Sequence, residues 1–411
     1  MSLAQDTAVR PQNLAFRLDG APPAFRGALR AIAGAWSVGS LSLVAPNGET
    51  LRLEGEHAGP HGRLIVRDFA FMRRVLISGD IGFAEGYLAG EWESPDLSTL
   101  LEALTLNFDQ MKRVTLGNPA ARLFQRIGHA LHGNSRKGSR RNIHAHYDLG
   151  NAFYQAWLDP SMTYSSALFE AGDRNLEAGQ RRKYAALARA MDLRAGHTVL
   201  EIGCGWGGFA EFAAGEIGAR VTAVTISREQ HDFAASRLFA AGLAERAEVK
   251  LIDYRDVRGT YDRVASIEMF EAVGEKYWPT FFETVRDRLK DDGRAGLQII
   301  TIRDDLFAEY RRRSDFIQKY VFPGGMLPSE PRLMAEVTGQ GLRWQGVHRF
   351  GQDYAETLAA WAQRFEGAWD RIRDQGFDTR FHRLWRFYLA YCEAGFRTGR
   401  TDVVQLNLSK A

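Results

Sequence analysis

The sequence predicts an α/β fold: a doubly wound parallel sheet with a helical cap, plus a small N-terminal α+β domain. Three observations predict it. Short apolar runs alternate with helical patterns between residues 198 and 301, the order that builds a parallel sheet covered on both faces. The first run, Val199 to Ile202, opens directly into a glycine-rich turn at 203–208. The chain before residue 115 has a different character, with a hairpin signal followed by amphipathic helical spacing.

Taken in order, Leu41 to Leu53 alternates apolar and polar residues around Pro46-Asn47-Gly48, which reads as a β-hairpin. Arg63 to Arg67 is a further strand. Residues 68–78 and 80–89 carry helical spacing, and 95–107 opens an amphipathic helix. These make an N-terminal domain over 1–115, followed by a basic linker over 116–142 and a catalytic domain over 143–411. Strands are expected at 198–202, 220–224, 247–251, 262–266 and 294–301, with helices at 207–215, 228–241 and 277–289. After Arg303 the pattern turns mainly helical and rich in aromatic residues.

A chain of 411 residues with 45% hydrophobic and 25% charged residues has the composition of a globular enzyme. Two cysteines, Cys204 and Cys392, argue against a disulfide framework and for a reducing compartment. No run approaches the length of a membrane span, no leader pattern opens the chain, and no Cys/His spacing suits a metal. The net charge of +3 is small, but Arg136, Lys137, Arg140 and Arg141 cluster in a Gly/Ser setting. That cluster reads as a solvated linker or as a contact for anionic lipid headgroups. It lacks the interleaved aromatics that single-stranded nucleic acid needs, so no nucleic-acid partner is expected.

The chemistry is expected at the carboxyl ends of successive strands, where open α/β sheets bind their ligands. Gly203, Gly205 and Gly207 let the backbone approach a ligand closely. Glu201 precedes the first glycine by two, a pattern associated with S-adenosylmethionine (SAM) rather than with a dinucleotide. Thr225, Ile226 and Gln230 end the second strand with hydroxyl and amide groups, and Asp253, Tyr254 and Arg255 follow the third. The stripe Tyr277, Trp278, Phe281, Phe282 reads first as core.

Several longer motifs carry a resemblance. His146 to Asn151, Leu158 to Ser165, Leu200 to Gly208, Val224 to Ser227, Asp253 to Asp256, Met269 to Gly274, Tyr320 to Gly325 and Phe350 to Tyr354 together resemble the cyclopropane fatty acid synthase family, which includes the mycolic acid cyclopropane synthases. The resemblance implies a Rossmann-like SAM-methyltransferase sheet and methyl transfer from SAM to a cis double bond of an unsaturated acyl chain in a phospholipid, giving a cyclopropane fatty acid. It places Tyr164 and Ser165 on the cofactor beside the residues above. It also implies a bound hydrogen carbonate (bicarbonate) as proton acceptor, held here by Ser166, Glu271, Gln298, Ile300 and Tyr354.

Two of those positions depart from the family pattern: Ser166 replaces a cysteine and Gln298 a histidine. Neither can carry positive charge as an imidazole does, so a methyl-branched or methylene product stands as the alternative to the ring. A SAM enzyme acting on a soluble small molecule, or a lipid-binding relative without activity, is a more distant alternative. Cys392 matches a cysteine considered catalytic in some relatives, although alkene methylation needs no thiolate and a buried structural role is the simpler reading. The resemblance further implies a cytoplasmic enzyme on the inner face of the membrane. The N-terminal domain is the candidate for a lipid contact or a homodimer contact.

Overall fold

The computed structural model describes residues 21–108 and 149–411. The linker over 116–142, its basic cluster and His146 lie outside these residues. The chain divides into two units that are discontinuous in sequence.

The first unit comprises residues 21–108 with Arg313–Phe316 and Gly376–Thr398. Its sheet has the order β2-β1-β3-β4, formed by β1 (Val38–Val44), β2 (Thr50–Glu54), β3 (His57–Val66) and β4 (Trp92–Glu93). The expected hairpin is β1–β2, with Leu43 opposite Leu51. The helix Leu97–Leu106 starts where expected because the Asp96 carboxylate accepts from Thr99 N at 2.9 Å, satisfying an otherwise orphaned donor.

One boundary differs from the expectation of consecutive domains. The helix Thr379–Arg397 belongs to this unit, not to the sheet that precedes it in sequence. Arg383 explains the attachment: it donates to Tyr87 O at 2.5 Å and to Glu93 Oε1 at 2.6 Å, and its guanidinium lies 4.2 Å from the Tyr87 ring centre. Ser98 Oγ adds a bond to Glu393 at 2.7 Å.

The second unit holds a seven-stranded sheet of order β10-β11-β9-β8-β5-β6-β7. Five strands are parallel: β5 (Thr198–Ile202), β6 (Arg220–Thr225), β7 (Ala247–Leu251), β8 (Tyr261–Ile267) and β9 (Leu289–Ile302). The helices Gly208–Phe212, Arg228–Ala240 and Trp278–Arg288 fall within or close to their expected spans. β10 (Leu342–Arg349) and β11 (Thr401–Lys410) arise in the region expected to be helical, and β11 runs antiparallel to both its neighbours. The sheet is therefore mixed at one edge rather than parallel throughout.

Alternate side chains of β5 enter separate cores, as the two-residue strand period requires. Leu200 and Ile202 pack with Trp278, Phe281, Phe282 and Val285 on one face, whereas Val199 packs with Leu187, Phe209 and Val221 on the other. Three members of the aromatic stripe, Trp278, Phe281 and Phe282, are thus core. β5 lies between β6 and β8, so the strand order reverses at its end and opens the crevice in which such sheets bind ligands. Among the described residues, no helix is long and apolar enough to cross a membrane.

Candidate active site

The turn after β5 keeps the geometry its glycines suggest. Gly203, Gly205 and Gly207 have φ of 79°, 52° and 83°, in the left-handed region that side chains disfavour. At Gly203 there is a second reason: a Cβ would stand 2.5 Å from Met269 Cγ, on the turn after β8. Glu201 is buried, and its Oε2 has no hydrogen-bond partner among the described residues. Burial pushes its carboxyl up to about 8, against the opposing charges of Arg237 and Lys183.

The second and third strand ends are more self-contained. Thr225 Oγ1 donates to Gln230 Oε1 at 2.9 Å, and Ile226 follows at the strand end. Ser227 Oγ accepts from Gln230 N at 3.4 Å and caps the next helix. Arg255 clasps the Asp253 carboxylate through two bonds of 2.8 and 2.6 Å. Tyr254 meets Phe281 at 5.7 Å between ring centres, and burial pushes its hydroxyl up to about 12.

Beside the glycine turn lies an aromatic wall. Tyr154 stands 4.9 Å from Trp206 and 5.4 Å from Tyr164, and Tyr164 stands 5.3 Å from Trp361. Trp361 in turn meets Tyr354 edge-on at 6.0 Å. Such ring faces can stabilise a passing cation.

Three of the five residues singled out for an anion pocket, Ser166, Gln298 and Tyr354, converge on a residue that lies outside that set, and the other two, Glu271 and Ile300, bond to each other. Glu268 Oε1 accepts from Ser166 N at 2.9 Å and from Gln298 Nε2 at 2.7 Å, while Oε2 accepts from Tyr354 Oη at 2.6 Å. These three donors belong to buried residues. Glu268 has φ 50°, a left-handed conformation that costs a non-glycine residue about 1–3 kcal/mol and persists where its surroundings enforce it. Its N–H is fixed by Gln298 O at 2.8 Å. Burial raises its carboxyl pKa, with Lys183 and the three donors opposing.

Lys183 is fully buried and donates to Ser165 Oγ, and burial brings its ammonium down to about 7 despite the nearby Glu268. Gln405 on β11 donates to Gln298 Oε1 at 3.0 Å and to Lys183 O at 3.1 Å, so it turns the Gln298 NH2 group toward Glu268. Glu271 stands one short turn further on. Its Oε1 accepts from Ile300 N at 2.5 Å, and its Oε2 is buried without a partner among the described residues. Burial first, and the Glu268 charge second, push Glu271 up to about 8.

Cys392 sits on the helix of the first unit, and burial raises its thiol far above the range where a thiolate forms. Among the described residues no group of acids, histidines and cysteines could hold a metal. SAM suits the turn after β5: left-handed glycines without side chains offer room for close backbone approach, and Glu201 Oε2, buried without a partner among the described residues, offers an acceptor beside it.

Comparison with known proteins agrees with this geometry. The family model for mycolic acid cyclopropane synthetase matches residues 134–406. A tuberculostearic acid methyltransferase of Mycobacterium tuberculosis is 41% identical over 355 residues, covering 84% of this chain and 82% of that protein. The cyclopropane-fatty-acyl-phospholipid synthase of Escherichia coli is 36% identical over 351 residues, covering 84% and 87%. A mycolic acid cyclopropane synthase crystallised with SAH and CTAB superposes with a TM-score of 0.62 at 28% identity, over 66% of this chain and 98% of that one. Coclaurine N-methyltransferase, at 16% identity and TM-score 0.63, shares the fold alone. The chain belongs to the mycolic acid cyclopropane synthetase family of SAM-dependent methyltransferases, enzymes that methylate or cyclopropanate lipid chains.

Proposed function

We propose that this enzyme alkylates the cis double bond of an unsaturated acyl chain in a phospholipid, using the methyl group of SAM, and that the transferred carbon then loses a proton. The observation that carries this reading is the carboxyl pair Glu268 and Glu271 beside the aromatic wall and the glycine turn. An isolated alkene is a weak nucleophile, so the reacting atoms must be held in contact away from water. When bound, SAM supplies an electrophilic methyl on a sulfonium sulfur.

The protein's own residues do the rest. Gly203, Gly205 and Gly207 admit the cofactor close to the backbone, and Glu201, Thr225, Gln230, Asp253, Tyr254 and Arg255 frame its site with Tyr164 and Ser165. Tyr164, the partly exposed member of this aromatic cluster, offers a ring face to the cation left on the alkylated chain, and Tyr154 and Trp361 hold it in place. The carboxyl pair supplies groups able to take up the proton.

Proton loss from the new methyl group, with bonding to the cationic carbon, closes a cyclopropane. A second reading is a methylene-branched chain, with a methyl branch as its reduced form. Two observations favour it: Ser166 and Gln298 bind Glu268, and the methyltransferase relative is 41% identical. The substrate is proposed to be met at the inner face of the cytoplasmic membrane. Exposed Leu76 and Ile77, beside exposed Arg73 on one helix of the first unit, support an interfacial contact.

The test is formation of SAH with vesicles of monounsaturated phospholipid. Turnover is expected with these and not with saturated vesicles. Equal turnover on a soluble acceptor, independent of vesicles, overturns the reading. Hydrogenation of the product before mass spectrometry separates ring from alkene.

A further inference from the structure

The residues that the family resemblance assigns to hydrogen carbonate do not fit a free anion in this chain. Ser166 N, Gln298 Nε2 and Tyr354 Oη already donate to Glu268, Ile300 N already donates to Glu271, and the Ser166 hydroxyl donates to Ala167 O at 2.9 Å. An additional anion would have to share these donors and to place a further negative charge against two carboxyl groups, which both disfavour. The backbone also shows that Glu268 is built into this place. It adopts φ 50° at the carboxyl end of β8, and the next residue, Met269, fills the space beside Gly203 of the cofactor turn.

Building on the function proposed above, we propose that the Glu268 carboxylate is itself the proton acceptor of the reaction and that this enzyme turns over without hydrogen carbonate. The step balances with the chain's own groups. The π pair of the lipid forms the new carbon–carbon bond while the C–S pair stays on sulfur, leaving a cation on the neighbouring carbon. An oxygen of Glu268 takes a proton from the transferred carbon. The released C–H pair closes the ring, or, after a hydride shift between the former alkene carbons, forms the methylene double bond. Glu268 then returns its proton to solvent, and no oxidant or reductant is used. Both oxygens of Glu268 are accepting hydrogen bonds, which is the arrangement of an ionised carboxylate ready to take a proton. Gln405 acts as a positioning residue through Gln298.

The test uses the full-length protein, unsaturated phospholipid vesicles and buffer freed of carbon dioxide, with hydrogen carbonate added back. Wild-type turnover is expected to be the same with and without the added anion. Glu268→Gln, which keeps the shape and loses the base, is expected to turn over about 100-fold more slowly or worse, because positioned proton transfer typically contributes at least that much. Glu268→Gly suits the left-handed backbone and empties the space between the three donors, so added hydrogen carbonate or acetate should restore part of its rate. Both variants should bind SAH within about threefold of wild type, which shows that they are folded. Loss of wild-type turnover on removing hydrogen carbonate overturns the proposal, as does a near wild-type rate for Glu268→Gln. Failure of the wild type on unsaturated vesicles instead overturns the proposed function, and this inference with it.

Discussion

The hydroxyl of Tyr354 donates to Oε2 of Glu268 at 2.6 Å, joining the long helix Gly351–Arg373 to the end of β8. A donor to an ionised carboxylate favours the charged form, and its removal makes the carboxyl harder to ionise. Tyr354→Phe should therefore lower kcat about tenfold, in keeping with roughly 1.5–3 kcal/mol for a hydrogen bond to a charged group. The acid limb of its pH–rate profile should move to higher pH, while the KM for SAM stays the same. Steady-state kinetics across pH check this, and an unmoved acid limb would reduce Tyr354 to a packing role.

Glu271 provides a stability test with a definite sign. Its carboxyl is pushed up to about 8 from a usual value near 4.5, by burial first and Glu268 second. Between those values the folded chain holds a proton that the unfolded chain releases, so stability falls as pH rises through that window. Glu271→Gln removes that titration and keeps an acceptor for Ile300 N. Its unfolding midpoint, followed by circular dichroism, should fall less steeply between about pH 4.5 and 8 than that of the wild type.

Gly203→Ala tests the cofactor turn. The added methyl would stand 2.5 Å from Met269 Cγ on a backbone of φ 79°. The strained conformation alone costs about 1–3 kcal/mol. Calorimetry should show weaker SAH binding and a lower Tm, and Gly203→Ala with Met269→Ala should recover the part due to the clash.

Arg383→Ala tests the membership of the helix Thr379–Arg397 in the first unit. It removes the bonds to Tyr87 O, Trp92 O and Glu93 together with the contact over the Tyr87 ring. Losing hydrogen bonds to a charged group costs about 1.5–3 kcal/mol, and partial exposure of Arg383 puts the expectation at the lower end. Limited proteolysis should cut the variant faster within 376–398 than the wild type, and unchanged protection there would contradict this assignment.

The sequence showed those parts of the fold that are written locally. The hairpin at 41–53 announces itself through Pro46-Asn47-Gly48, and β5 to β8 through short apolar runs bounded by turns. β10 and β11 were not legible, because Arg343-Trp344-Gln345 and Asp402 interrupt the apolar signal and their pairing spans about sixty residues of chain. The start of β9 was hidden for a related reason: Asp291-Asp292-Gly293 reads as a turn. Nothing local shows that the helix carrying Cys392 packs with the N-terminal unit.

The site divides in the same way. Ser166, Gln298 and Tyr354 were found through motifs, and the structure brings them together. Glu268 was missed because it lies outside those motifs' distinctive positions, three residues before the more conspicuous Glu271. A signal existed: a carboxylate following the apolar run Val264 to Ile267 stands at the carboxyl edge of a parallel strand, where ligands bind. The local sequence could not show that three donors from distant elements would meet on it.

The most direct measurement of the central claim is the fate of the transferred methyl group. SAM carrying a fully deuterated methyl is supplied with monounsaturated phospholipid vesicles, and the lipid product is weighed by mass spectrometry. Ring closure and methylene formation both take a hydrogen from that group, so the product is predicted to keep two deuterons. A product that keeps all three, or label that never enters the acyl chain, would contradict the account.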